Sequence, residues 1–258
     1  MTGGPGKTVV ALHRVKHLLK FLRDGDRVLL TTYTNALVAA LRNGLATLVE
    51  DEELRARVDI TTVDALASRV VSTSRRPLHG GEEESRWKQA ARAAGFTGTA
   101  QFLGQEYKHV ILAQDLRSEG EYEAADRRGR GSRLPAAERT LVWRTVREFT
   151  DRLAADGRRT YLGTCTEAAD LLRANGPLYR HIVVDEAQDL HPAQWRLLRA
   201  AAPARPDDCS SPAIPISVSM TRRSPCGPSG SRSPGDPPRC GRTTAPHTRS
   251  SAGPPPSS

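Results

Sequence analysis

The sequence predicts an α/β fold: a parallel sheet with helices on both faces, interrupted by a helical insertion and followed by a disordered C-terminal tail. Three observations carry that prediction. Short apolar runs bounded by polar residues alternate with helical stripes in residues 1–71, and the same grammar returns in 176–203. Residues 72–175 are rich in Arg, Glu and Ala, with helical spacing and few strand signals. Residues 204–258 hold Pro, Ser, Arg and Gly but no Leu, Phe, Tyr, Trp, Lys or Glu, too little apolar surface to offset chain entropy.

Each element has its own warrant. Thr8 to Leu22 places Val9, Leu12, Val15, Leu18, Leu19 and Leu22 on one helical stripe, and Asp24-Gly25-Asp26 makes a turn. Arg27 to Thr32 is an apolar run suited to a buried parallel strand. Asn35 to Leu48 is helical, Val58 to Thr62 a strand, and Val63 to Val71 a helix. Within the insertion, helical periodicity is strongest over Arg86–Ala94 and Ala136–Ala154. His181 to Val184 is a strand, and Pro192 opens a helix running to Ala202.

Lys and Arg number 38 against 29 Asp and Glu, a net charge of +9. Such a surplus suits a polyanion partner, although an Arg-heavy genome produces the same balance. Arg127 to Arg133 (RRGRGSR) has two open readings, a solvated linker or a nucleic-acid contact. Trp87, Trp143 and Trp195 are expected to pack helices. Residues 1–12 have no apolar core with a cleavage site, and no run approaches the ~18 apolar residues of a membrane span. Cys165, Cys209, Cys226 and Cys240 lack metal-ligand spacing, so a reducing, cytoplasmic setting is expected.

Two motifs carry chemistry. Gly3-Gly4-Pro5-Gly6-Lys7-Thr8 runs into the first helix, where backbone N–H groups and the helix dipole attract phosphate. Lys7 would bridge phosphates and the Thr8 hydroxyl would bind Mg²⁺. The full pattern G-x-x-x-x-G-K-[ST] requires glycine where Met1 stands, so the loop is short at its start. The second motif is an apolar strand ending in paired acids, Asp185 and Glu186, followed by Gln188 and Asp189. Asp185 would hold Mg²⁺ through its water shell, Glu186 would polarise an attacking water, and Gln188 would sense the γ-phosphate. An acidic pair beside a helix start is also favoured by the helix dipole alone.

The string DEAQD after a hydrophobic strand resembles motif II of UvrD/Rep-type superfamily 1 DNA helicases, and GGPGKTVVALHR resembles a damaged motif I. Between them LLTTYTNAL (29–37) is similar to motif Ia, and TTVDALASRVV (61–71) stands where motif Ib belongs. The resemblance covers residues 1–203. It implies a RecA-like P-loop NTPase domain in two parts, 1–71 and 176–203, with 72–175 as the helical subdomain inserted between them. It also implies ATP and Mg²⁺ as ligands and single-stranded DNA as partner, touched by Thr32, Tyr33, Asn35 and Thr62. For Tyr33, stacking on a base and closing a strand end stay equally open. Asp64 stands where many relatives carry His, which puts a DNA contact there in doubt.

The expected function is the ATP-binding part of a 3′-to-5′ helicase or translocase, with little turnover because no second motor domain follows. Cys209 to Thr221 is compatible with codons that, one base earlier, spell LFIAGDTHQRIYD, and 239–249 with codons for VRANYRTPHE. Both strings resemble later motifs of the family, so a frame change near Asp208 is expected. The alternatives are a translocase that remodels a complex such as RNA polymerase, for which a long coiled-coil insertion would speak, and a non-enzymatic basic remnant that binds nucleic acid.

Overall fold

The strands expected at 27–32, 58–62 and 181–184 all form, and they align as parallel neighbours in one mixed α/β body. The computed structural model describes residues 6–72, 76–79, 81–130, 134–203 and 216–218. Helix α1 (Gly6–Leu19) buries Ala11, Leu12, Val15, Leu18 and Leu19, the inward stripe of an amphipathic helix. The chain turns through Gly25, whose φ of 83° costs glycine nothing, into β1 (Val28–Thr32), buried along its whole length. Helices α2 (Asn35–Leu48) and α3 (Glu52–Ala56) start at Thr34 and Asp51, whose side-chain oxygens accept from Leu37 and Leu54 N–H. Strand β2 (Val58–Thr62) and helix α4 (Val63–Val71) follow.

The inserted body begins with β3 (Arg76–Pro77) and continues through α5 (Glu82–Ala94) and α6 (Ala100–Glu106). A π-helical turn over Tyr107–Ile111 joins α6 to the short α7 (Leu112–Gln114), then come α8 (Glu119–Glu123), α9 (Ala136–Ala155) and β4 (Arg158–Arg159). Strands β3 and β4 pair in parallel, so the chain enters and leaves this body side by side. Its core stacks Trp87 on Phe149, centroids 3.6 Å apart, with Tyr107 edge-on to both.

The chain returns through α10 (Tyr161–Asn175), β5 (His181–Val184), a 3₁₀ turn at Ala187–Asp189 and α11 (Pro192–Ala201). The sheet order is β2-β1-β5-β6, where β6 is Ile216–Val218. Register runs Val28↔Val58 to Thr32↔Thr62, and Val28↔His181 to Thr31↔Val184. Alternation then separates two cores. Leu29, Ile182 and Val184 meet α4, α10 and α11, whereas Val28, Leu30, Ile60 and Val183 meet α1 and α2.

Two expectations are corrected here. The insertion was expected to reach residue 175, but Cys165, Ala168, Ala169 and Leu172 of α10 pack in the core under the sheet. The small Cys165, Ala168 and Ala169 let α10 approach α4, and helical spacing alone could not assign it to either body. The tail expected to be disordered contributes β6, parallel to β5. The edge of β5 offers backbone groups for this pairing. The rest of 204–258, with Cys209, Cys226, Cys240 and all of the strings read in the other frame except 216–218, lies outside the described residues.

As far as residue 130, the basic loop makes a buried ion pair that neither of its two readings anticipated. Arg127 turns inward, its Nε 2.6 Å from Glu106 Oε1, and Arg130 Nε lies 3.4 Å from Oε2. The Tyr122 hydroxyl donates to Glu106 at 2.8 Å, and Glu106 is wholly buried. Burial pushes the Glu106 carboxyl up, but the Arg127 and Tyr122 hydrogen bonds and both guanidinium charges outweigh it and hold it below the usual range. Its stabilisation is therefore present above the ordinary carboxylate pKa and is lost as acid titrates the folded form. Glu106→Gln, which strands the Arg127 charge, is expected to cost about 3–5 kcal/mol in urea unfolding at neutral pH. An unchanged midpoint would show that Glu106 does not anchor the loop.

Candidate functional site

In open parallel sheets, ligands collect beyond the carboxyl ends of the strands. Here the carboxyl end of β5 runs into Asp185, whose N–H donates to Thr31 O at 2.9 Å and extends the ladder by one step. Glu186 then takes φ 57° and ψ 44°, a left-handed conformation that ends the strand abruptly. A non-glycine residue held there is strained, and such strain gathers at functional turns.

The two motifs meet at this rim. Thr8 Oγ1 donates to Asp185 Oδ2 at 3.0 Å across 177 positions of sequence. Lys7 Nζ lies 3.9 Å from Glu186 Oε2, with both side chains partly exposed. The Gln188 amide donates to Glu186 and, at 3.4 Å, to Asp189 Oδ2. Lys7, Thr8, Asp185, Glu186 and Gln188 therefore form one constellation beside Gly6, the first residue of α1. Gly3 and Gly4 lie outside the described residues.

Asp185 is only 2% exposed, and its Oδ1 has no hydrogen-bond partner. The hydroxyls of Thr31 and Thr32, at the end of the neighbouring strand, are likewise buried and unpartnered. Orphaned buried oxygens are rare enough to mark a place for water, a cation or a ligand. Thr31 was not anticipated from sequence, although a Thr-Thr pair closing an apolar strand was the available signal. Among the described residues no cluster of three or more His, Cys, Asp or Glu forms a cation cage. A hydroxyl plus one carboxylate is instead the sparse donor set that suits Mg²⁺ completed by water and phosphate oxygens.

The residues expected on DNA separate. Thr32 is 1% exposed, so its side chain is not presented to a strand, because β1 is covered on both faces to its last residue. Thr62 is half-buried, and its hydroxyl accepts from Ala65 N–H at 3.2 Å as the cap of α4. Tyr33 is 55% exposed, which removes the reading of it as a core aromatic, and Asn35 is exposed in the first turn of α2. Asp64 faces inward, accepting from Gln194 Nε2 at 2.9 Å and from Cys165 Sγ at 3.6 Å. Trp87 and Trp143 stack on Phe149 and Tyr122, and Trp195 packs under the sheet.

Sequence reasoning missed the bridge from this site to the inserted body. His191, which starts α11, accepts from Ala193 N–H through Nδ1, and its Nε2 lies 2.9 Å from Lys108 O. The neutral tautomer protonated at Nε2 satisfies both contacts. Burial lowers the pKa of His191, and neighbouring Lys108, His109 and Arg196 add to this against the Lys108 carbonyl. Arg196, one turn on, donates to Ala113 O at 2.9 Å and to Leu112 O, capping the end of α7.

Burial raises the Asp185 carboxyl above its ordinary value, and the charge of Glu186 adds to it, against the Thr8 hydrogen bond and Lys7. The folded state thus holds extra protons just above the ordinary carboxylate pKa, so stability falls as pH rises through that window. Asp185→Asn is expected to raise the thermal midpoint of the ligand-free protein at neutral pH, with the gain vanishing in acid. A midpoint lowered equally at all pH values would contradict this. No protein-family model matches the chain, and no curated protein matches it either.

Proposed function

We propose that this chain is the ATP-binding part of a UvrD/Rep-type 3′-to-5′ DNA helicase or translocase. ATP would bind with its phosphates between the Gly3–Thr8 loop and the acids Asp185 and Glu186. The 3.0 Å contact between Thr8 and Asp185 carries the reading, because it joins both motifs at the carboxyl rim of one parallel sheet. A RecA-like domain would open its first helix at such a rim, as α1 does here.

Each group has a stated task. The amides at the start of α1 and the Lys7 ammonium bind phosphate oxygens. Thr8 Oγ1 and Asp185 would hold Mg²⁺, whose contribution when bound is to neutralise phosphate charge. Glu186 orients a water and takes its proton, for which it must exchange its present partners Lys7 and Gln188. Tyr33 and Asn35, exposed just beyond β1, offer a ring for a base and an amide for the backbone of single-stranded DNA. The inserted body favours a helicase over a polymerase-remodelling translocase. Its longest helix, α9, has 20 residues and packs into a globular aromatic core instead of a projecting coiled coil. Among the described residues no helix is long and apolar enough to cross a membrane.

Calorimetric titration with Mg-ATP tests the reading. Binding should weaken about 10- to 100-fold in Lys7→Ala, the worth of a charge-assisted hydrogen bond, and Thr8→Ala should blunt its dependence on Mg²⁺. Equal affinity in Lys7→Ala would refute the nucleotide site. Salt-steep DNA binding with no nucleotide binding at all would select the non-enzymatic remnant instead.

A further inference from the structure

A second charged pocket stands at the opposite end of the sheet. It measures about 350 Å³ and lies between the last turns of α1 and the start of β5. Arg14, Arg23 and Arg180 line it, with His17, His181 and Phe21, and no carboxylate is among the lining residues. Asp26, outside the lining, lies 4.0 Å from Arg180 Nε and accepts from the backbone N–H of Arg23 at 3.0 Å. The partial negative charge expected at the end of α1 is blunted as well. Its last carbonyls, His17, Leu18 and Leu19, accept from the N–H groups of Lys20, Phe21 and Leu22.

One wall is aromatic and open. Phe21 is 61% exposed, among the most exposed large apolar side chains of the described residues, and the His17 ring meets it edge-on at 5.0 Å. Leaving a phenyl ring in water costs hydrophobic burial that the nearby core could supply, yet the turn after α1 holds it outward beside the arginines. Guanidinium groups recognise phosphate by paired hydrogen bonds, and an exposed ring next to them receives a flat heterocycle. A pocket of this size and composition takes one phosphate and one base.

We infer that this pocket binds a nucleotide, with its phosphate among Arg14, Arg23 and Arg180 and its base on Phe21. The site is separate from the one formed by Lys7 and Asp185. His181 and Asp185 stand at opposite ends of β5, roughly 13 Å apart at ~3.3 Å per residue. The same chemistry is met in a free nucleotide and in a unit of single-stranded nucleic acid.

The test uses the full chain carrying Lys7→Ala and Tyr33→Ala, which weaken the nucleotide and strand sites proposed above, and fluorescence anisotropy at low salt with two probes, labelled AMP and a labelled thymidine strand of about ten nucleotides. Phe21→Ala should weaken binding about 5- to 100-fold, as expected for loss of one base stack. The double change Arg14→Ala with Arg180→Ala should weaken it further and flatten the salt dependence. Phe21 and Arg14 are exposed, so circular dichroism should show an unchanged fold. Comparable affinity for both probes identifies a free nucleotide as the ligand, and affinity for the strand alone identifies nucleic acid. Absence of binding by both probes, or binding that Phe21→Ala leaves intact, overturns the inference. Neither result bears on the Lys7 site, whose own titration is unaffected by these changes.

Discussion

The parallel pairing of β1 with β5 is the constraint on which the rest of the molecule depends. It joins Val28 to His181 across more than half the chain, with the whole inserted body between them. Closing so long a loop is costly in entropy, and only the burial of both faces of these strands offsets it. Leu29 and Ile182 supply one face and Leu30 and Val183 the other, all nearly inaccessible to water. Once that register is set, the Asp185 amide falls on the Thr31 carbonyl and α1 is held over the same rim. The meeting of Thr8 with Asp185 is thus a product of strand register, with no local signal linking two residues so far apart.

This explains what could be read from the residues and what could not. Strands β2 and β5 and helix α2 form over the spans their patterns predict, because alternation and helical spacing report burial directly. The strand that runs into Asp185 and Glu186 was legible for the same reason, since all four of its residues are buried. The burial of Thr32 was not legible, because a hydroxyl at a strand end looks the same whether it faces water or the sheet interior. Asp64 and Cys165 find each other between α4 and α10, a pairing no spacing rule contains. Glu106 gave no sign of being buried, because its partners Arg127 and Arg130 lie in a loop whose composition resembles a solvated linker.

The inserted body and the sheet are linked on the side of the acids. Helix α11 starts immediately after the turn that carries Glu186 and Gln188, and its Arg196 and His191 grip carbonyls of the π-helical turn and α7. A π turn widens a helix and leaves carbonyls poorly matched to their usual donors. Side chains from α11 complete that pattern from outside. The Glu186 turn and the inserted body are thus joined through His191 and Arg196.

The paired strands β3 and β4 have a further architectural meaning. Because β3 and β4 run about 4.8 Å apart, the chain between Leu78 and Gly157 enters and leaves at one place, and α11 holds it at a second. Such an appendage can grow, shrink or be exchanged for another without altering the spacing of the strands that frame it. The geometry thus keeps the ends of the appendage together whatever its length, and leaves the register of the sheet independent of it.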